Sequence, residues 1–115
     1  MKYILLIYGN EANMATRSPA EISPVVKEYV AVSEDLGQKG QMVAAERLQA
    51  VSTATTVRVK DGTTLTTDGP FAETKEQLGG FYLIDVKDLD EAIDVAARLP
   101  GSRSGCVEVR PIFPM

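Results

Sequence analysis

Between Thr67 and Tyr82 the chain gathers a carboxylate at Asp68, an aromatic ring at Phe71 and the charged side chains Glu73, Lys75 and Glu76. Asp68 opens an Asp-Gly-Pro-Phe sequence, and Gly79-Gly80 leads into an apolar run. A carboxylate at the mouth of a pocket can serve as general acid, general base or polar anchor. A lysine desolvated beside carboxylates can act as an acid or hold an anionic ligand. The same residues also have a plainer use. Asp bonds backbone amides two residues on, Gly admits unusual dihedrals and Pro fixes the next φ, which together make a turn. Glu73, Lys75 and Glu76 fit a solvated charge run, in which exposed pairs contribute little. Phe71 fits a plug for the core as well as the wall of a cleft. Asp68 is therefore the candidate catalytic residue, with Phe71, Glu73 and Lys75 as candidate ligand contacts.

Three more residues join this set. Tyr8 stands on the most apolar strand pattern, Tyr29 on the apolar stripe of a helix, and Glu46 at the end of a strand. A buried tyrosine needs a partner for its hydroxyl. A cavity lined by tyrosines and one carboxylate suits a small molecule. Core packing for the tyrosines and a strand end for Glu46 are the alternatives. Cys106 reads as an inert thiol, since nothing beside it in sequence would activate it. Gly79-Gly80 suits a bulge or a close backbone approach; it is not a phosphate loop, because no G-x-x-x-x-G-K pattern accompanies it.

Composition narrows the chemistry. The chain has no histidine and one cysteine, which removes the commonest general base and disfavours zinc and most transition metals. Carboxylates could hold magnesium, but no calcium-loop spacing occurs. No metal site and no cofactor are expected. The net charge of −4 is spread without a basic cluster, which argues against nucleic acid as a partner. The apolar run from Met1 to Gly9 is too short to span a membrane or to serve as a signal peptide. It reads as a strand, no membrane partner is expected, and the expected location is cytoplasmic. A length of 115 residues fits one domain over 1–115.

The elements that must hold these residues follow from periodicity. Residues 2–8 are apolar on both alternating sets, as in a strand covered on both faces. A polar loop follows Gly9. Ser18-Pro19-Ala20-Glu21 has the form of a helix start, and Pro24 suggests a short turn at 19–22 before a main helix over 24–39. Val25, Tyr29, Val32 and Leu36 form its buried stripe, and Gly40 its stop. A strand at 42–48 is followed by a hairpin, 55–60 and 63–67, around Asp61-Gly62. After a loop over 68–80 come a strand at 81–86 and a helix capped by Asp88, with Leu89, Ala92, Ile93, Ala96 and Leu99 on one face. The last strand covers 107–112.

Two βαβ-like halves with a hairpin inserted between them fit an α+β, ferredoxin-like sandwich. Two helices cover one face of a four-stranded sheet, yet strands 2–8 and 81–86 are apolar on both. The economical cover for the second face is a second copy, which makes a symmetric homodimer.

Met1 through Gly9, Ala54 through Val59, Thr67 through Tyr82, Asp88 through Ala92 and Val107 through Pro111 together resemble the DGPF-type branch of the YCII-related proteins. The resemblance implies a ferredoxin-like dimeric α/β barrel. In the wider family a His–Asp pair is proposed as catalytic. The family's helix histidine falls at about Tyr29 here, so a His-based mechanism is excluded and Asp68 is the remaining acidic candidate. Some family members are similar to accessories of extracytoplasmic-function sigma factors. The resemblance therefore implies either a small-molecule-binding protein, catalytic or not, with a cleft near the central loop, or a regulatory, ligand-sensing module associated with such a sigma factor.

Overall fold

The computed structural model describes residues 1–114. Its elements are β1 (Lys2–Gly9), α1 (Glu11–Ala15), α2 (Pro19–Gln38), β2 (Met42–Arg47), β3 (Thr55–Lys60), β4 (Thr63–Asp68), β5 (Gln77–Asp85), α3 (Leu89–Arg98), α4 (Gly101–Ser104) and β6 (Cys106–Pro111). Four strands form an antiparallel sheet in the order β2-β5-β1-β6, and β3-β4 form a separate two-stranded sheet. Each helical connection skips a strand: β1 reaches β2 past β5, and β5 reaches β6 past β1. The result is an α+β fold of two interleaved split βαβ units.

Helix α2 starts as its sequence requires. Ser18 Oγ accepts from the Glu21 backbone N–H and the Glu21 carboxylate accepts in return from the Ser18 backbone N–H, with Pro19 in the first turn. The helix runs unbroken through Pro24, against the expected interruption. Pro24 removes one bond near an exposed helix start, where water can satisfy the freed carbonyl and the capping box holds the first turn. Gly40, at φ +69°, ends the helix and Gln41 N–H closes onto Leu36 O at 2.9 Å. Asp61 (φ 50°) and Gly62 (φ 75°) make the primed turn that their sequence announces.

The connection before β5 is shorter than expected, because Gln77 through Gly80 already pair with β1. Ile7 faces Gly80 and Tyr8 faces Leu78, so Gly79 is the extra residue of a bulge. Gly80 is a close-approach position: a Cβ there would lie 2.8 Å from the Glu46 carbonyl oxygen of β2.

The core lies between the helices and one sheet face. Tyr3 and Leu5 of β1, Tyr82 and Ile84 of β5, Val32 and Leu36 of α2 and Ala92, Val95, Ala96 and Leu99 of α3 are buried together. On α3 the buried face is rotated from the expected one. Val95 enters, while Leu89 and Ile93 stay exposed, because contact is made along the 92-95-96-99 ridge, whose two alanines let the helix come close. The opposite sheet face carries Ile4 and Leu6 of β1 beside Phe81 and Leu83 of β5, all half-buried, with no helix over them.

Strands β3 and β4 form an arm that packs extensively against no other element. The radius of gyration is 16.1 Å, against about 13 Å for a compact chain of roughly this length. The accessible surface is 8082 Å², about 2,000 Å² above the scaling expectation of roughly 6,100 Å² for a compact 12.4 kDa monomer. Phe71 is 81% exposed, so it does not plug the core. Gly69, at φ +97°, and Pro70 turn the chain outward just before it.

Leu36→Ala should lower unfolding stability by about 2–5 kcal/mol, as other fully buried leucines do. Gly80→Ala should cost about 1–3 kcal/mol, because the obstructing atoms belong to the β2 backbone. Urea unfolding of both variants measures these costs, and an unchanged midpoint for Gly80→Ala would show that β2 moves aside freely.

Candidate functional site

The expected site residues fall into three groups. Asp68 ends β4 opposite Thr55, and Phe71, Glu73 and Lys75 follow in the connection to β5; all four are exposed. Asp68, Glu73 and Lys75 take part in none of the ion pairs among the described residues. The turn at Asp68 is held by backbone: Gly69 N–H donates to Ala54 O at 2.7 Å, and Thr56 Oγ1 donates to Gly69 O at 2.8 Å. Tyr8 and Glu46 lie on the open sheet face, Tyr8 half-buried beside Cys106 and Glu46 exposed opposite Phe81. Tyr29 faces the sheet from α2, on the other side. Within one chain these groups do not converge.

Tyr29 is the best organised of them. Its ring stacks on Tyr82, with centroids 6.4 Å apart and planes 22° from parallel. Its hydroxyl oxygen accepts from the Gly101 N–H at 2.9 Å. A side chain at position 101 would displace both that hydroxyl and Ile7 Cγ2. Ser33, one turn along α2, has a single hydroxyl proton and donates it to Tyr29 O at 2.8 Å. Tyr82 is therefore the donor in its 2.8 Å bond to Ser33 Oγ. The Tyr29 proton has no acceptor among the described residues, which leaves a half-buried donor available to a ligand.

Burial, the largest influence, raises the Tyr29 pKa above the ordinary 10.0, and Tyr82 adds to it; the Gly101 N–H, Arg103 and Arg47 oppose. Arg47 was not among the expected site residues. It ends β2 opposite Gly80, on the same face as Ala45, whose partner is the buried Tyr82. Strand alternation from Ala45 to Arg47 was the available signal. Arg47, Leu48, Gln49 and Ala50 line an open concavity of about 400 Å³. A second, of about 40 Å³, is lined by Gly9, Asn10, Asn13, Met14, Arg17 and Ser104. None of the expected site residues lines either one.

Two further groups are displaced in pKa but stand outside this constellation. Asp35 is held low by hydrogen bonds from Arg98 and Lys39 at the surface. Burial first, then Glu76 and Glu108, push the Cys106 thiol up, away from the thiolate that reactivity needs. Among the described residues no helix is long and apolar enough to cross a membrane.

A family model described as YCII-related domain matches residues 1–115. An uncharacterised protein of Rhizobium meliloti (strain 1021) is 41% identical over 114 residues, covering 97% of this chain and 92% of that protein.

The raised Tyr29 value fixes a sign. The folded chain keeps the phenol proton where the unfolded chain releases it, so this contribution to stability is complete below about pH 10 and is lost as pH rises beyond. The phenolate absorbance missing from Tyr29→Phe should therefore be centred above pH 10.0. A midpoint at or below that value would contradict the burial of the hydroxyl.

Proposed function

The chain belongs to the YCII-related domain family, and on that premise we propose a cytoplasmic homodimer, a ferredoxin-like dimeric α/β barrel of the DGPF type, that binds a small anionic molecule between the sheet and α2. The observation that carries this reading is that the unclaimed Tyr29 hydroxyl proton and Arg47 stand at the same end of the sheet, the hydroxyl at Gly101 beside Ile7 and Arg47 opposite Gly80, the partner of Ile7. One neutral donor and one permanent cation select a carboxylate or phosphate oxygen. The adjoining concavity of about 400 Å³ is within the range of about 300–1,000 Å³ usual for ligand pockets.

Asp68 is the acid–base candidate in this reading, with Glu73 and Lys75 at the mouth. Exposed as it is in one chain, its carboxylate gains catalytic character only where assembly removes water around it. Dimerisation has its own support in the open face of Ile4, Leu6, Phe81 and Leu83 and in the excess surface. The rival reading is a regulatory, ligand-sensing module allied to an extracytoplasmic-function sigma factor. One observation favours it: the charged connection of residues 69–76 is solvated in one chain, as suits a docking segment better than a catalytic one.

Light scattering on the wild type at micromolar concentration should give twice 12.4 kDa, and Leu6→Asp on the open face should give a monomer; a monomeric wild type overturns the dimer. In thermal-shift measurements against small mono- and dicarboxylates and phosphate esters, stabilising compounds should lose about tenfold or more in affinity with Arg47→Ala, in keeping with the usual loss of a charge-assisted bond. If no compound shows that dependence, the anion site is refuted. Any turnover should fall about a hundredfold or more in Asp68→Asn while binding is kept; equal turnover removes Asp68 from the catalytic role, and binding with no turnover favours the regulatory one.

A further inference from the structure

We propose that the β3–β4 arm is an exchange arm: it lies on the body of a second copy and delivers the Asp68 loop to a site that neither chain completes alone. The proposal rests on the homodimer reading above and adds to it which element crosses between subunits.

The first support is area. An open four-stranded face, with strands about 4.8 Å apart and roughly 20 Å long, presents only about 400 Å² in plan. The excess of about 2,000 Å² over a compact monomer is several times larger. Much of the remainder belongs to the arm and its loop, which project from the body. A standard interface buries about 800 Å² on each partner, and obligate dimers bury more. The arm and its loop, exposed along nearly their whole length, add to the open face the area such an interface needs.

The second support is the distribution of apolar side chains. The β3–β4 register places Val57 opposite Thr66 and Val59 opposite Thr64, so two valines and two threonine methyls share one face of the arm. Val57 is 58% and Val59 69% exposed, and Phe71 follows just beyond the arm. An isolated two-stranded hairpin is marginal in water, and an apolar face on it calls for a cover. The arm's own chain does not supply one.

Interface area points to a second copy as that cover, and charge does not oppose it. The arm carries Arg58 and Lys60 against Asp61 and Asp68, so it is neutral in a chain whose net charge is −4. Neither cation takes part in an ion pair among the described residues. A neutral arm can lie on the acidic body of an identical chain without the like-charge repulsion that an acidic arm would meet. Asp68, Glu73 and Lys75 travel with the arm and find no partners at home, so the site they serve is completed across the interface.

The test uses the full-length chain with photoreactive benzoylphenylalanine in place of Val59. Irradiation at micromolar concentration should produce a covalent dimer on a denaturing gel. In a mixture of isotope-labelled and unlabelled chains, mass spectrometry should find crosslinked peptides that pair one label with the other. Separately, Val57→Asp/Val59→Asp should raise the dimer dissociation constant more than tenfold while circular dichroism stays that of the wild type, since the arm is apart from the core. A dimeric wild type whose position 59 crosslinks only within its own chain, with unchanged dimerisation of the double variant, overturns the arm and leaves the dimer standing. A monomeric wild type overturns both.

Discussion

The structure turns on a mismatch between a sheet apolar on both faces and helices sufficient for one. Tyr3, Leu5, Tyr82 and Ile84 point at α2 and α3 and are buried. Ile4, Leu6, Phe81 and Leu83 alternate with them along the same two strands and meet no helix. Period-2 geometry permits no compromise, because shifting a strand to hide one set exposes the other. The helix layer is fixed by well-capped ends and a small-residue ridge on α3, so it cannot spread to the second face. Everything unresolved in the single chain follows from that: the open face, the projecting arm and site residues in three separate places.

Fold and candidate site also share their contacts at one end of the sheet. Gly80 lets β2 approach β5 closely enough for Arg47 to pair with it, next to the bulge that Gly79 makes against β1. At the same end Gly101 leaves room for the Tyr29 hydroxyl and donates to it. The Tyr29 hydroxyl and the backbone of Arg47 are therefore both placed by close backbone packing at glycines.

How much of this was legible in the sequence depended on the range of the interactions. Local signals were read correctly: the Ser18–Glu21 capping box, the Asp61-Gly62 turn, the Gly40 stop and the Asp88 cap each depend on residues within a few positions. The element order was legible too and carried the expectation of an α+β sandwich, while the two-faced pattern of β1 and β5 carried that of a homodimer. Errors arose where a remote neighbour decides. Pro24 is absorbed because capping outweighs one lost bond. The α3 face is set by where the ridge meets the sheet, which periodicity alone does not fix. Phe71 reads as core from its hydrophobicity, but Gly69 and Pro70 aim it at solvent. Arg47 was missed because its importance comes from α2, eighteen residues away at Tyr29 and on another element.

The charged Asp68 loop illustrates why density of ionisable groups is a poor index of chemistry. In water a carboxylate beside a lysine interacts weakly, since the dielectric reduces each pair to about 1 kcal/mol at contact distances. The same groups under a protein cover interact several times more strongly and can be driven from their ordinary protonation states. Asp68, Glu73 and Lys75 lie on a part of the chain that its own core does not cover. Tyr29, by contrast, is already half-buried and already shifted. The chain thus holds one prepared group in its body and one set of unprepared groups on its arm. Only a surface that covers the arm can turn the second set into a site, so whatever buries the arm also governs whether the loop has any chemistry at all.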